Sequence, residues 1–260
     1  MNLNSIRLWP VPFCLTLLSA CTAPEVSSDP GCLGITDHCV QPVDGPTSPF
    51  DLAEKAVNDY GQGLYRVQGY AIPDRVAPND PDIILPTTGS GHFYGFTQIA
   101  IPHGNGSSDY LVGTSNMTAR FNGPSFTIKG SNRDFAFIEN LSDSDYAALM
   151  TDVSAASTAQ EASVIVASHL GVREYADGVF GIASIVTSDP VNIAFAVNGA
   201  ATVGTTVYEL GGWAMGGLSD SNLTFLVVQG DTDEGLTLTR NGSSIDATMT
   251  MAHRGGYHPL

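Results

Sequence analysis

The side chains able to do chemistry are few and far apart in this chain of 260 residues: six histidines, four cysteines, and 26 acidic residues against 10 basic ones. Gly-x-Ser-x-Gly, His-Glu-x-x-His, Cys-x-x-Cys and phosphate-cradling glycine patterns are all missing from it. The usual sequence marks of a serine hydrolase, a zinc protease, a dithiol redox protein or a nucleotide enzyme are therefore missing too. A catalytic triad drawn from distant residues would leave no such mark. Asp231-Thr232-Asp233-Glu234-Gly235 spaces carboxylates as if around a hard cation, but its glycine comes one residue early and no acidic residue closes the loop, so a solvated turn is expected. His253 and His258, either of which could ligate a metal or haem iron, stand so near the terminus that an exposed, frayed tail is the expectation. No catalytic residue, metal site or cofactor is predicted. The better candidates for contact with a ligand are aromatic: Phe93 and Tyr94, and Trp213 within Gly211-Gly212-Trp213-Ala214-Met215-Gly216-Gly217, with core packing the competing use of each. The glycines around Trp213 predict a loop or a strand end.

The elements that must carry these residues begin with a leader. Arg7 precedes an apolar stretch, Leu8 to Leu18, that is too short to span a bilayer and contains Pro10 and Pro12. With Ser19 and Ala20 following, this layout is an export signal. The tetrad Leu18-Ser19-Ala20-Cys21 resembles the lipobox of bacterial lipoproteins. That resemblance implies cleavage before Cys21 and a lipid on its thiol; an ordinary signal peptide cut after Ala20 is the other reading. Thr22 is not the aspartate that retains lipoproteins in the inner membrane, which implies the outer membrane. Cys14 leaves with the signal, so Cys32 and Cys39 remain, able in an oxidising compartment to close a small disulfide loop worth about 2.5 kcal/mol.

The Ser-, Pro-, Asp- and Gly-rich stretch from Thr22 to Pro49 cannot bury enough apolar area to fold. The expected organisation is a signal peptide at 1–20, a lipidated flexible tether at 21–49 spanning roughly 30 Å, and one folded domain at 50–260. With a formal net charge of −16 and only two lysines, Lys55 and Lys129, the chain has no basic stripe for nucleic acid or for anionic headgroups.

Within the domain the dominant period is two. Met117, Ala119 and Phe121 alternate with polar neighbours, turn at Asn122-Gly123, and continue as Phe126 and Ile128. Leu236 and Leu238, Asn241-Gly242, then Ile245, Ala247, Met249 and Met251 repeat the device. Val179–Val186, Val191–Val197, Thr202–Tyr208 and Leu223–Gln229 also read as strands. A short helix is expected over Phe50–Tyr60, stopped by Gly61 and Gly63, and another after Ser142, where Asp145 completes a capping box and Tyr146, Leu149, Met150 and Val153 share a face. Ala162–Leu170 fits either helix or strand. The fold class is mainly β: a single antiparallel β-barrel of about eight strands with one or two short helices, on a flexible N-terminal tether.

Pro86-Thr87-Thr88-Gly89-Ser90-Gly91-His92-Phe93-Tyr94-Gly95-Phe96, followed by Tyr110-Leu111-Val112-Gly113 and Met117-Thr118-Ala119-Arg120-Phe121, resembles the opening strands of transferrin-binding-protein-B-like surface lipoproteins. The likeness covers about fifty residues. It implies an eight-stranded barrel on a lipid tether, a non-enzymatic binding module whose relatives capture iron-carrying proteins, haem or complement regulators. A structural envelope lipoprotein that captures nothing is the alternative, and a hydrolase with a scattered site a third reading.

Overall fold

The computed structural model describes residues 48–67, 85–171, 173–218 and 224–258, with side chains through 256 in the last stretch. The chain divides into two units, Met1–Asp44 and Gly45–Leu260, and the second is the one described. The signal peptide, Cys21, Cys32, Cys39 and most of the tether lie outside the described residues.

The elements are α1 (Pro49–Val67), β1 (Thr88–Pro102), β2 (Ser107–Asn122), β3 (Ser125–Ser142), α2 (Asp143–Ala155), α3 (Ala159–His169), β4 (Arg173–Ser184), β5 (Ile193–Val203), β6 (Thr206–Leu218), β7 (Phe225–Asp231), β8 (Leu236–Arg240), β9 (Ser243–Ile245) and β10 (Thr248–His258). Each strand pairs antiparallel with the next from β1 to β7. β7 pairs with β10 and β10 with β1, so eight strands close a ring. The mainly-β barrel of the sequence reading is thus the fold, with three helices among the described residues. β8 continues β7 along the same edge of β6: Leu218 to Met215 face Leu226 to Gln229, and Gly212 to Tyr208 face Leu236 to Arg240. Between them, Asp231 to Gly235 form a single helical turn in which the Asp231 carboxylate accepts the Asp233 N–H at 2.7 Å.

Alternation along the strands sends one set of side chains inward. Phe93, Leu111, Phe135, Phe180, Phe195 and Leu238 belong to a continuous buried cluster that fills the ring, with the Phe135 and Phe180 rings 4.9 Å apart. An eight-stranded barrel is just wide enough for its own side chains. The interior is a core, not a cup.

A second buried cluster lies outside the ring. Outward residues Phe96, Tyr110, Val112, Ile138, Val227 and Ala252 of β1, β2, β3, β7 and β10 are covered by α1, α2 and α3. Ala53, Ala56, Val57, Tyr60, Leu64 and Val67 recur at helical spacing and form the buried face of α1. The helix does not stop at Gly61 and Gly63. A Cβ at Gly61 would stand 2.8 Å from Ser163 Cα, and one at Gly63 would stand 3.0 Å from Phe96 Cβ, so these glycines let α1 lie flush on α3 and β1. α2 begins as expected, with Ser142 Oγ accepting the Asp145 N–H at 3.1 Å. α3 settles the ambiguous stretch as helix: Thr158 Oγ1 accepts the Glu161 N–H at 3.1 Å while Glu161 accepts the Ser157 N–H at 2.8 Å.

Two further expectations are corrected. Thr202–Tyr208 is not a strand but the β5–β6 turn and its flanks, with Gly204 at φ +57°. Gly211–Gly217 is no loop: it lies within β6 and places Trp213 in mid-strand.

Candidate binding surface

Three places on the domain gather polar or aromatic side chains: inside the barrel, at one rim, and on the outer wall that the helices leave bare.

The first corrects the reading of His253 as part of a frayed tail. β10 pairs with β1 as far as His258, and His253 is fully buried, pointing inward. Its Nε2 lies 2.6 Å from Ser115 Oγ and its Nδ1 lies 3.2 Å from the Leu226 carbonyl. The Ser115 hydroxyl in turn donates to Asn132 Oδ1, and Asn132 Nδ2 donates to the Phe180 carbonyl at 3.4 Å. Gly95 stands between His253 and Ser115 in the register, and a Cβ there would fall 1.8 Å from the Ala252 carbonyl oxygen, so only glycine lets β10 and β1 come this close. The network is one proton short. With the Ser115 proton committed to Asn132, both imidazole nitrogens face acceptors, and only an imidazolium has two N–H groups to offer. Burial opposes that charge and lowers the His253 pKa to about 4, against a smaller raising effect of the Leu226 carbonyl. The Ser115–His253 pair is sealed in the core and meets no substrate.

At one rim, the β1–β2 turn is braced by Asp109. Its Oδ1 accepts the Asn140 N–H at 2.9 Å and lies 2.8 Å from His103 Nε2. His103, Asn105, Glu139 and Asn140 line an open cleft of about 650 Å³ there. The carboxylate orients the imidazole as in a general-base dyad, but among the described residues no hydroxyl or thiol bonds to the other ring nitrogen. Ser107 Oγ, with one proton to give, instead lies 2.7 Å from Asn105 Oδ1 and 2.6 Å from Asn140 Oδ1, and Asn140 stands at φ +53°. The cluster braces a turn. Among the described residues no group of three or more His, Cys, Asp or Glu could hold a metal ion.

The third place is the outer wall opposite the helices. Register sets its residues in rows. His92, Thr118, Lys129, Ala183, Ala196 and Trp213 form one row across β1 to β6, and Tyr94, Asn116, Ser131, Gly181 and Asn198 form the next. Toward the β2–β3 turn, Ser90, Arg120 and Thr127 continue the wall on one side. Ala194 and Met215 continue it on the other, with Ile185 donating its N–H to the Ala194 carbonyl. Trp213 is 50% exposed, Met215 and Ile185 are half-exposed and Val186 is 68% exposed. Ala and Gly at their neighbours keep the β4–β6 part low and flat. Beside it, Gly89, Arg120, Phe121, Phe126, Thr127 and Val186 line a cleft of about 640 Å³.

No acidic residue occupies these outward rows, although the chain carries 26. The nearest loop carboxylate, Asp189, is turned onto its own backbone, accepting the N–H groups of Val191 (2.9 Å) and Asn192 (3.1 Å). The Val191 bond in particular holds its pKa below the usual range. Among the described residues Arg120 and Lys129 make no ion pair, whereas Lys55 is paired with Asp59 and Arg173 with Glu54.

Of the aromatic contact candidates, the structure brings Tyr94 and Trp213 onto this wall, at opposite sides of it, and puts Phe93 in the core with no exposed surface. Phe93 and Tyr94 are neighbours in sequence and so face opposite ways in a strand. Met215 joins Trp213 by alternation along β6, but Ile185 reaches them only through its bond to Ala194 and the β5–β6 pairing, which single-strand reading does not supply. No family model, curated protein or solved structure matches this chain.

Proposed function

We propose that this chain is a lipid-anchored, non-enzymatic binding lipoprotein of the bacterial outer membrane, akin to transferrin-binding-protein-B-like barrels, and that it captures its partner on the outer wall of β4–β6. One observation carries this reading: a tryptophan, a methionine and an isoleucine stand half-exposed on the part of the outer wall that no helix covers, with Val186 exposed at the cleft beside them. Exposed apolar side chains clustered on one surface mark an interaction site more often than a solvation accident. Because the ring is filled by its own side chains, the partner is a surface laid against the barrel and not a small molecule inside it. The leader and Cys21 supply the anchor in this reading.

Two measurements test it. In cells labelled with palmitate, the chain should carry the label and partition with the outer membrane, and Cys21→Ser should lose both; an unlabelled, freely released wild-type chain would sink the anchor. The immobilised chain, offered serum proteins, haem and envelope extract, should retain a partner that Trp213→Asp releases. If Trp213→Asp retains everything the wild type retains, the wall is not the capture surface.

A further inference from the structure

We infer that the bare wall is built to dock an acidic protein segment, one whose apolar side chains are bordered by carboxylates. This rests on the binding reading above and adds the partner's chemistry. Arg120 and Lys129 are outward residues on the strands next to the apolar part of the wall, and neither makes an ion pair among the described residues. At about 4.8 Å per strand, Lys129 lies roughly 14 Å along its row from Trp213, within the reach of one extended segment or one helix face. The same strands carry carboxylates only beyond these three rows: Glu209 shares the next row with Val179 and Ala200, accepting a bond from Thr239 Oγ1 at 3.1 Å, and Asp177 shares the one after with Thr202 and Val207. In a chain of net charge −16, a field that repels acidic partners over most of the surface is relieved at this wall. Complementary charge sets the orientation and rate of docking while the apolar anchors supply its strength.

The same charges argue against other occupants. A second copy meeting this wall with its own wall would bring two more cations to rows that hold no carboxylate to receive them, since a two-fold interface pairs a surface with itself. An anionic membrane would have to overcome the repulsion of the whole domain for two exposed cations.

The test uses the full chain and four probes: a labelled soluble peptide alternating Glu with Phe, the same peptide with Lys for Glu, a poly-glutamate of equal length, and phosphatidylglycerol vesicles. The Glu–Phe peptide should bind more tightly than the Lys–Phe and poly-glutamate peptides, by about tenfold or more. Amide-exchange protection should fall on residues 181–185, 194–198 and 213–215. Arg120→Glu with Lys129→Glu should weaken that binding by about tenfold and Trp213→Ala by a similar factor, while Thr237→Ala on β8 leaves it unchanged. Equal or tighter binding of the Lys–Phe peptide, an unchanged affinity after the double charge reversal, protection elsewhere, tighter association with the vesicles, or self-association through the wall would each overturn the inference. The two readings fail separately. A partner released by Trp213→Asp but insensitive to the charge reversals leaves the binding reading standing and removes this one.

Discussion

Phe96 and Trp213 are both aromatic residues on the outside of the same barrel, and they meet opposite fates. Phe96 is 2% exposed beneath α1, with the Tyr60 ring edge-on at 5.5 Å, whereas Trp213 is half open to solvent. The strands around both are apolar on their outer faces. What differs is the cover: α1, α2 and α3 lie over β1, β2, β3, β7, β10 and the start of β4, where Arg173 bonds Glu54, and leave β5, β6 and the end of β4 open. The contrast teaches that outward apolarity in this barrel has two uses. On one wall it fastens helices; on the other it is left available.

The sharpest way to break that comparison is to truncate both aromatics and measure unfolding in urea. Phe96→Ala should cost about 3–5 kcal/mol, because it opens a cavity under α1. A loss below about 1 kcal/mol would mean that the helices are not fastened through this residue.

The interior that both walls share is tested by acid. The folded His253 pKa of about 4 lies below its ordinary value of 6.5. The unfolded chain therefore binds the proton more tightly, and stability from this group is complete above pH 6.5 and falls as pH drops toward 4. The loss over that window is on the order of 3 kcal/mol. His253→Gln should flatten it relative to the wild type; parallel pH curves for the two proteins would remove the buried network as the cause.

A smaller effect is expected where α1 lies on α3. Gly61→Leu should cost about 1–3 kcal/mol by overpacking against Ser163, and exchange of α1 amides should quicken before that of the strands. Removing a cap comes next: Ser142→Ala should cost about 1 kcal/mol, read as a lower urea midpoint with an unchanged slope. Last, Trp213→Ala should change stability by less than about 1 kcal/mol while weakening binding about tenfold. A loss comparable to that of Phe96→Ala would place Trp213 among structural residues and erase the distinction between the walls.

Much of the fold was legible because its signals are local. The Asn241-Gly242 turn, with Asn241 at φ +51° and Gly242 at +80°, the β2–β3 turn, which falls one residue beyond Asn122 at Gly123-Pro124, and the two-residue alternation beside them need only neighbouring residues to be read. Ser142 with Asp145 reads as a cap from sequence, and Thr158 with Glu161 is the same device, set before a stretch, Ala162–Leu170, whose apolar residues fit either period. Gly61 and Gly63 misled because a glycine that ends a helix and one that admits a neighbouring helix look alike in sequence. The β5–β6 turn at Gly204-Thr205 is masked in sequence by Val203 and Val207, which continue the apolar pattern on both sides.

For the candidate site, local reading nominated Tyr94 and Trp213 but could not separate them from Phe93, nor assemble the wall. Alternation states that adjacent residues face opposite ways; which way is inward depends on register. The sequence by itself determined an acidic barrel of short turns and alternating strands, because charge, turn chemistry and period are properties of neighbouring residues. Only the tertiary structure decided that the barrel is filled, that His253 is sealed inside it, and that β5, β6 and the end of β4 stay open. These depend on pairings between residues far apart in the chain and on where three helices come to rest.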